Sequence, residues 1–510
     1  MTQRLFQFVA SLPGPIRDVT ADSRRVNPGS IFIAVPGGTL DGHSFIPQAT
    51  QNGAIAIIGE RPSPDPASSS VPYLAVPDAR RALAALSAHL HDYPSRQMIM
   101  IGITGTDGKT TTANLLHHIL TAAGLRSGLI STINAVLGQH VADTGLHVTT
   151  PDAPAMQAFL AEMVSAGLTH CILEVTAHGL AQHRVAECDF DVAVITNITH
   201  EHLDYHGDYR AYRAAKAMLF ENLSTAARKP GQPKTAILNV DDTSFEYLRA
   251  IPVDRQYCYS LSGPADLTAR NLRSVPGGTA FDLVTDDGVF PIRTHLVGTH
   301  NVCNVLAAAG AALALGLPVD AIQRGCANLP GVPGRMERID AGQPFTLIVD
   351  FAHTPNALQS AIEAGREMVR PHGRVITVFG SAGLRDAAKR RLMATASVRH
   401  ADLTVLTAED PRTESLDAIL AAMAAGCRSE GGIEGETFFC VPDRLRAIHF
   451  ALTQARLGDV VLVCGKGHEQ SMCFGETEFP WDDRQAARRA LLALAAHQPP
   501  PDSGLPTSDE

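Results

Sequence analysis

Between residues 99 and 112 the chain reads Ile99-Met100-Ile101-Gly102-Ile103-Thr104-Gly105-Thr106-Asp107-Gly108-Lys109-Thr110-Thr111-Thr112. An apolar run ends in glycines, a lysine and three threonines follow, and a helical pattern continues over 113–123. Strand, tight loop and helix in that order make a phosphate cradle. The glycines let backbone N–H groups close around phosphate oxygens, and the positive end of the helix dipole points at them. Lys109 would reach the β/γ-phosphates of a nucleotide, and the Thr110 hydroxyl could ligate Mg²⁺. The longer G-x-x-x-x-G-K form needs a glycine where Ile103 stands, so the match is to the shorter Gly-Thr-x-Gly-Lys-Thr form. An ordinary Gly-rich βα turn would not explain why lysine and threonine follow directly.

Two carboxyl-end positions accompany the cradle. The apolar run 169–175 contains Glu174 near its end, and the run 191–198 is followed by Thr199-His200-Glu201-His202-Leu203-Asp204-Tyr205-His206-Gly207. Ligands of open α/β sheets collect at the carboxyl ends of strands, so Lys109, Glu174 and His202 can converge on one crevice. A lone strand-end Glu is commonly structural, but a Glu and a His at successive strand ends beside a phosphate loop suit a metal and a nucleotide. Lys216 follows on an alanine-rich helical face, where a buried role competes with that of a solvated charge. Asn301 and Asn304 share a face of a later alanine-rich helix and could read an adenine edge or cap the helix. A second group of strand ends carries Asp350, Arg385, Glu409, Arg412 and Glu469. Acids and arginines mixed at one rim suit a zwitterionic substrate.

Composition bounds the readings. At 510 residues the chain should form about three domains by the usual size prior. Apolar residues make up 45%, enough for full cores, and aromatics only 5%, which suits α/β layers with closely packed helices. The net charge of −10 argues against nucleic acid as the main partner. Nine cysteines without a C-x-x-C pair suggest a reducing cytoplasm rather than a disulfide framework. The first residues show no signal-peptide pattern, and no apolar run reaches membrane-spanning length, so a cytoplasmic protein without membrane insertion is expected.

The elements fall into three units. Residues 1–95 hold short apolar strands at 30–35, 54–58 and 73–76, a helix over 78–90 with Asp78 as its cap, and a linker at Pro94-Ser95. From 96 to 330 strands alternate with helices around a doubly wound sheet, interrupted by a basic connector at 228–234 and a β-rich excursion over 236–295. From 331 to 497 a smaller doubly wound sheet follows, and the proline-rich tail 498–510 reads as disordered.

Two α/β units that share a phosphate loop, a Glu/His pair and a remote rim of charge suit ATP-driven condensation of a carboxylate with an amine. The motifs that carry this chemistry resemble the Mur ligase family, within it the UDP-N-acetylmuramoyl-tripeptide synthetases (MurE type). The resemblance runs from about Asp22 to Glu469. It rests on six ordered motifs: Gly105–Thr111, Glu174–Leu180, His202–Gly207, His300–Asn304, Asp350–Pro355 and Gly465–Glu469. It implies an α/β fold of three domains: an N-terminal UDP-binding α/β domain (1–95), a central P-loop domain (96–330) and a C-terminal Rossmann-like amino-acid domain (331–497). It implies ATP and Mg²⁺ as cofactors and a monomer acting on UDP-MurNAc-dipeptide and a diamino acid in peptidoglycan precursor synthesis. By the same resemblance Gly105, Thr106, Asp107, Gly108, Lys109, Thr110, Thr111, Asn301, Arg335 and Asp350 bind ATP. Lys109, Glu174, His202 and Lys216 are the catalytic residues, and Thr110, Glu174, His202 and a carbamylated Lys216 hold metal. Ser23, Thr149, Thr150, Thr176, Gln182 and Arg184 contact the UDP-muropeptide. Arg385, Glu409, Asp410, Pro411, Arg412, Gly465 and Glu469 take the amino acid.

Three departures from the family pattern stand out. The Ser-Ser pair after Glu-Val is Thr176-Ala177, and the Gly-Cys-Gly-Gly-Asp-Arg-Asp run is Gly380-Ser381-Ala382-Gly383-Leu384-Arg385-Asp386. The acceptor motif Asp-Asn-Pro-Arg of diaminopimelate enzymes is Glu409-Asp410-Pro411-Arg412. Arg412 could clamp the distal carboxylate of diaminopimelate, whereas the added negative charge of Asp410 could favour the bare ammonium of lysine or ornithine. A folylpolyglutamate-synthase-like ligase, a non-catalytic nucleotide-binding homologue and a P-loop NTPase switch are the competing readings.

Overall fold

The computed structural model describes residues 2–37, 40–62, 71–142, 149–199, 208–500 and 502–506. Its strands form three principal sheets, one after another along the chain. Asp18–Thr20, Ser30–Ala34, Ala56–Gly59 and Tyr73–Ala75 make a four-stranded parallel sheet in sequence order. The first of these was not read from the sequence, because three residues are too few to show a period. Helix Ala79–Leu90 covers this sheet, and Asp78 caps it by accepting the Arg81 N–H at 2.9 Å. Pro94 and Ser95 are no free linker. Both are buried at the start of the turn Pro94–Gln97, and the Ser95 hydroxyl donates to the Glu187 carbonyl at 3.1 Å.

The central sheet has eleven strands. The phosphate-loop strand Ile99–Thr104 lies between Val192–Ile195 and His170–Glu174, parallel to both. These strands are buried along nearly all their length, as sheets covered on both faces by helices require. Register sets the site: Ile103 pairs with Glu174, and Thr104 with Ile195, so three carboxyl ends finish side by side. The β-rich stretch is not an excursion. Thr235–Asn239, Arg255–Ser260, Leu267–Val275, Gly278–Thr285 and Gly288–Thr294 extend the same sheet outward, the last two pairings antiparallel.

The basic turn is more than a connector. Lys234 Nζ donates to Asp191 Oδ1 at 3.0 Å, Lys229 pairs with the same carboxylate, and Asp191 is fully buried while accepting the Met100 N–H at 2.8 Å. Removing one side of such a buried pair costs about 3–5 kcal/mol. The turn therefore locks the entry of the strand beside the phosphate loop.

The third sheet runs Glu337–Ile339, Thr346–Asp350, Val460–Cys464, Val375–Phe379, Leu403–Leu406, Phe438–Cys440. Only its first pairing is antiparallel. A hairpin, Ser471–Phe474 with Thr477–Pro480, follows. Part of the tail expected to be disordered is laid down against this domain. Leu505 is buried in its core, Arg489 donates to the Asp502 carbonyl at 2.8 Å, and Ser503 donates to Asp443 at 2.5 Å. One apolar side chain and two polar anchors outweigh the solvation that the proline-rich composition favours. All nine cysteines are free thiols. Among the described residues no helix is long and apolar enough to cross a membrane.

Candidate active site

Gly105 and Gly108 adopt φ of 150° and 84°, and a Cβ at Gly105 would lie 1.8 Å from Thr196 Oγ1. Only glycine fits there. Gly108 precedes helix Lys109–Ala122, so the loop delivers backbone N–H groups and the helix N-terminus to one place. The neighbouring strand exit staples the loop. Thr106 N–H donates to the Asn197 carbonyl (2.8 Å), Asp107 N–H donates to Asn197 Oδ1 (3.0 Å), and Thr196 Oγ1 donates to the Asp107 carbonyl (2.6 Å). Thr196 and Asn197 were not singled out in the sequence, although they occupy a strand-end position like that of Glu174.

Glu174 is 1% exposed. Its carboxylate accepts from the Thr110 hydroxyl (3.0 and 3.1 Å) and from the Thr132 N–H (3.0 Å). Arg335 Nη2 in turn donates to Thr110 Oγ1 at 3.2 Å, and its guanidinium lies 4.2 Å from the Phe351 ring centre. Burial pulls the Arg335 pKa down, opposed by the charges of Asp350, Glu174, Glu469 and Asp107. An arginine of the third domain thus reaches the phosphate loop of the second. Lys216 is 2% exposed, donates to the Gly105 carbonyl at 2.5 Å and sits 4.5 Å from the Tyr212 ring centre. The buried reading of this lysine holds. His202 lies outside the described residues.

Two cavities flank the loop. One, of about 360 Å³, is lined by the loop, Glu174, Asn301, Arg335 and Asp350. Here Asn304 Nδ2 donates to Asn301 Oδ1 (2.9 Å), and Asp350 accepts the N–H groups of Met336 (2.6 Å) and Ala352 (2.7 Å). The other, of about 400 Å³, brings Thr149, Thr150, Thr176, Arg184 and Lys216 against Arg385, Glu409, Asp410, Arg412, Gly465 and Glu469. Lys109, Phe351 and His353 line both, so the cavities meet at the lysine. Ser23 lines neither. Its hydroxyl donates to Gln48 Oε1 at 2.7 Å in the first domain.

The threonines form two hydroxyl pairs that meet at Glu174. Thr150 Oγ1 lies 3.1 Å from Thr176 Oγ1, and Thr132 Oγ1 donates to Thr149 Oγ1 at 3.1 Å. Arg184 Nη1 donates to the Thr150 carbonyl (2.7 Å), and its Nη2 to Gln182 Oε1 (2.7 Å). At the opposite rim Asp410 and Arg412 have positive φ of 40° and 56°. Lys466, 0% exposed, donates to both Asp410 oxygens at 2.9 Å and pairs with Glu469 at 2.5 Å. Burial alone would lower the Lys466 pKa, but Glu469 and Asp410 lift it above the usual value. Asp410 and Glu469 therefore share one buried cation. Glu409 is 7% exposed, burial raises its pKa, and a Cβ at Gly465 would come 2.2 Å from its Oε2. His468 is pushed down to about 3 by burial and by Arg335, so its ring is neutral where it lies 4.9 Å from the Phe351 ring.

Three family models match the chain: "Mur ligase family, catalytic domain" over residues 15–91, "Mur ligase middle domain" over 103–312, and "Mur ligase, glutamate ligase domain" over 334–467. A UDP-N-acetylmuramyl-tripeptide synthetase of Roseiflexus sp. (strain RS-1) is 44% identical over 486 residues, 94% of this chain and 95% of its own. A UDP-N-acetylmuramoyl-L-alanyl-D-glutamate--2,6-diaminopimelate ligase of Geobacillus thermodenitrificans is 42% identical over 470 residues, 92% of this chain and 94% of its own. A solved structure of a ligase with that same description is 31% identical, covers 94% of this chain and 96% of its own, and superimposes with a TM-score of 0.63.

Proposed function

The chain belongs to the Mur ligase family, and from that premise we propose that it joins a diamino acid, 2,6-diaminopimelate, to UDP-N-acetylmuramoyl-L-alanyl-D-glutamate at the expense of ATP. The observation that carries this reading is the meeting of the two cavities at Lys109. ATP in the first places its γ-phosphorus at the loop. The D-glutamyl carboxylate, held by the Thr149, Thr150, Thr176, Gln182 and Arg184 group, attacks that phosphorus; the bond to the β,γ-bridging oxygen breaks, and ADP leaves. The amine of the acceptor then attacks the acyl carbon of the acyl phosphate, loses a proton and expels phosphate. The side chains position three ligands in line and neutralise developing charge, Lys109 from both sides of the junction.

Thr110 and Glu174 fit a hard divalent cation such as Mg²⁺. Both offer oxygen, and among the described residues the buried Glu174 is met by the neutral donors Thr110 and Thr132. Bound with ATP, the ion would neutralise charge on the transferring phosphoryl group. His202 is assigned to the same metal site. Lys216 is assigned as a carbamate, formed when its neutral amine adds CO₂ and loses a proton. That change turns a buried cation beside Gly105 into an oxygen donor. Residues 1–95, 96–330 and 331–497 are assigned to the muropeptide, ATP and amino acid respectively, in a cytoplasmic monomer. Diaminopimelate is preferred over lysine and ornithine because Asp410 is engaged by the buried Lys466, while Arg412 lines the cavity as a cation for the distal carboxylate.

The test supplies UDP-MurNAc-L-Ala-D-Glu, ATP and Mg²⁺ with diaminopimelate, lysine or ornithine separately, and reads ADP release and product mass. ATP-dependent product with diaminopimelate is expected. No product with any of the three would end the assignment.

A further inference from the structure

An arginine that no motif singles out ties together the two loops of the acceptor rim. Arg444 opens helix Arg444–Gln454 and is 0% exposed. Its Nε and Nη2 donate to Asp483 Oδ1 (2.7 Å) and Oδ2 (2.6 Å), and Trp481 Nε1 donates to the same Oδ1 at 2.8 Å. Asp483 is also 0% exposed. The aligned guanidinium then spends its other donors on backbone: Nη1 donates to the Ala408 carbonyl (3.1 Å) and Nη2 to the Cys464 carbonyl (2.8 Å). Ala408 immediately precedes Glu409, and Cys464 immediately precedes Gly465.

The strands leading to those carbonyls, Leu403–Leu406 and Val460–Cys464, are not neighbours. Val375–Phe379 lies between them. Beyond its end Lys466 ties to Asp410 and Arg412 N–H to the Cys473 carbonyl at the rim itself, while nearer the sheet the right-handed twist rotates alternate strands apart. One planar fork of donors bridges that gap at fixed geometry. The gap matters because Glu409 and Gly465 face each other across it so closely that a Cβ at Gly465 would overlap the Glu409 carboxylate. A buried ion pair is weak evidence for stability, since apolar residues of the same volume would serve as well. A pair that is used to pin two backbone carbonyls has a geometric use.

We infer that Arg444, oriented by Asp483 and Trp481, is a positioning residue that fixes the separation of the 409–412 and 465–469 loops and thereby the affinity for the acceptor amino acid. The inference rests on the ligase reading for the identity of that ligand. Its geometric part stands alone.

Asp483→Asn and Trp481→Phe are made in the full chain. KM for each of the three substrates, kcat and amide hydrogen exchange over 105–111, 409–412 and 465–469 are measured. Loss of a charge-assisted contact in Asp483→Asn should raise the acceptor KM about tenfold, and loss of one donor in Trp481→Phe about threefold, with the ATP and muropeptide KM changed less than about twofold. Exchange should quicken in the two rim segments and not in 105–111. A merely structural role would lower the melting temperature and move all three KM values together, or none, and either result overturns the inference. Should Asp483→Asn fail to fold, Trp481→Phe, which keeps an aromatic ring and deletes one donor, decides. A wild-type chain that ligates none of the amino acids counts against the ligase reading. The exchange pattern then decides the positioning role without it.

Discussion

Replacing Arg412 with alanine separates acceptor recognition from everything else the rim does. The backbone at this position is fixed by its neighbours: the Arg412 N–H donates to the Cys473 carbonyl at 3.0 Å, and its own carbonyl accepts from Gly475 at 2.9 Å. The side chain lines the second cavity, the proposed acceptor site, and is half-buried, and no ion pair or hydrogen bond holds its guanidinium among the described residues. Arg412→Ala therefore removes a contact to ligand and no internal pair. Two charge-assisted hydrogen bonds to a carboxylate in a half-exposed setting are worth roughly 2–3 kcal/mol. At about 1.4 kcal/mol per decade, kcat/KM for diaminopimelate should fall about 30- to 150-fold. Lysine has no distal carboxylate and should lose less than about threefold, the scale of an exposed charge contact. Steady-state ADP release with each amino acid gives both numbers, and thermal melting of the variant should match the wild type. Equal losses for both amino acids, or a lowered melting temperature, would show Arg412 to be structural and refute the reasoning.

Lys216→Ala should abolish ligation, and added bicarbonate should not restore it; near-normal rates in this variant would remove the carbamate. Lys466→Met leaves Asp410 and Glu469 without their shared cation, and unfolding in urea should show a loss of about 3–5 kcal/mol. A loss below about 1 kcal/mol would mean that the rim is solvated. His117 is lowered from 6.5 to about 4, chiefly by burial and secondarily by His118. The folded state then binds fewer protons than the unfolded one below 6.5, so this contribution to stability is present above that pH and is lost as pH falls toward 4. His117→Gln should make the drop in urea midpoint between about pH 7 and pH 5 shallower, and an unchanged drop would contradict the burial argument.

Much of the candidate site was legible because its signals are local. A phosphate loop and a strand-end carboxylate each announce themselves within a few residues, and register then aligned them. What stayed hidden depends on chain segments far apart in sequence meeting in space. The basic turn at 228–234 looked idle until Asp191 was found buried between two of its lysines. The negative charge of Asp410 looked like a clue to specificity, yet Asp410 is held by the buried Lys466 from another strand end. The strands over 267–294 looked detached because their alternation says nothing about which edge they join. Leu505 in a proline-rich tail gave no periodic signal at all. Local chemistry is encoded by residue type, whereas charge cancellation and edge pairing are set by topology.

The order of strands in the third sheet has a consequence for how this protein is made. Val460–Cys464 is the last of the six strands in the chain, yet it lies between Thr346–Asp350 and Val375–Phe379. Until it leaves the ribosome, both neighbours offer open edges, and that domain depends on late, non-local pairing of the kind that folds slowly. The same strand delivers Gly465 and Glu469 to the rim. The phosphate loop and its sheet are complete far earlier in synthesis, so a nascent chain acquires its nucleotide cradle before it acquires anything to hold an acceptor. Ligation competence arrives with the closing strand.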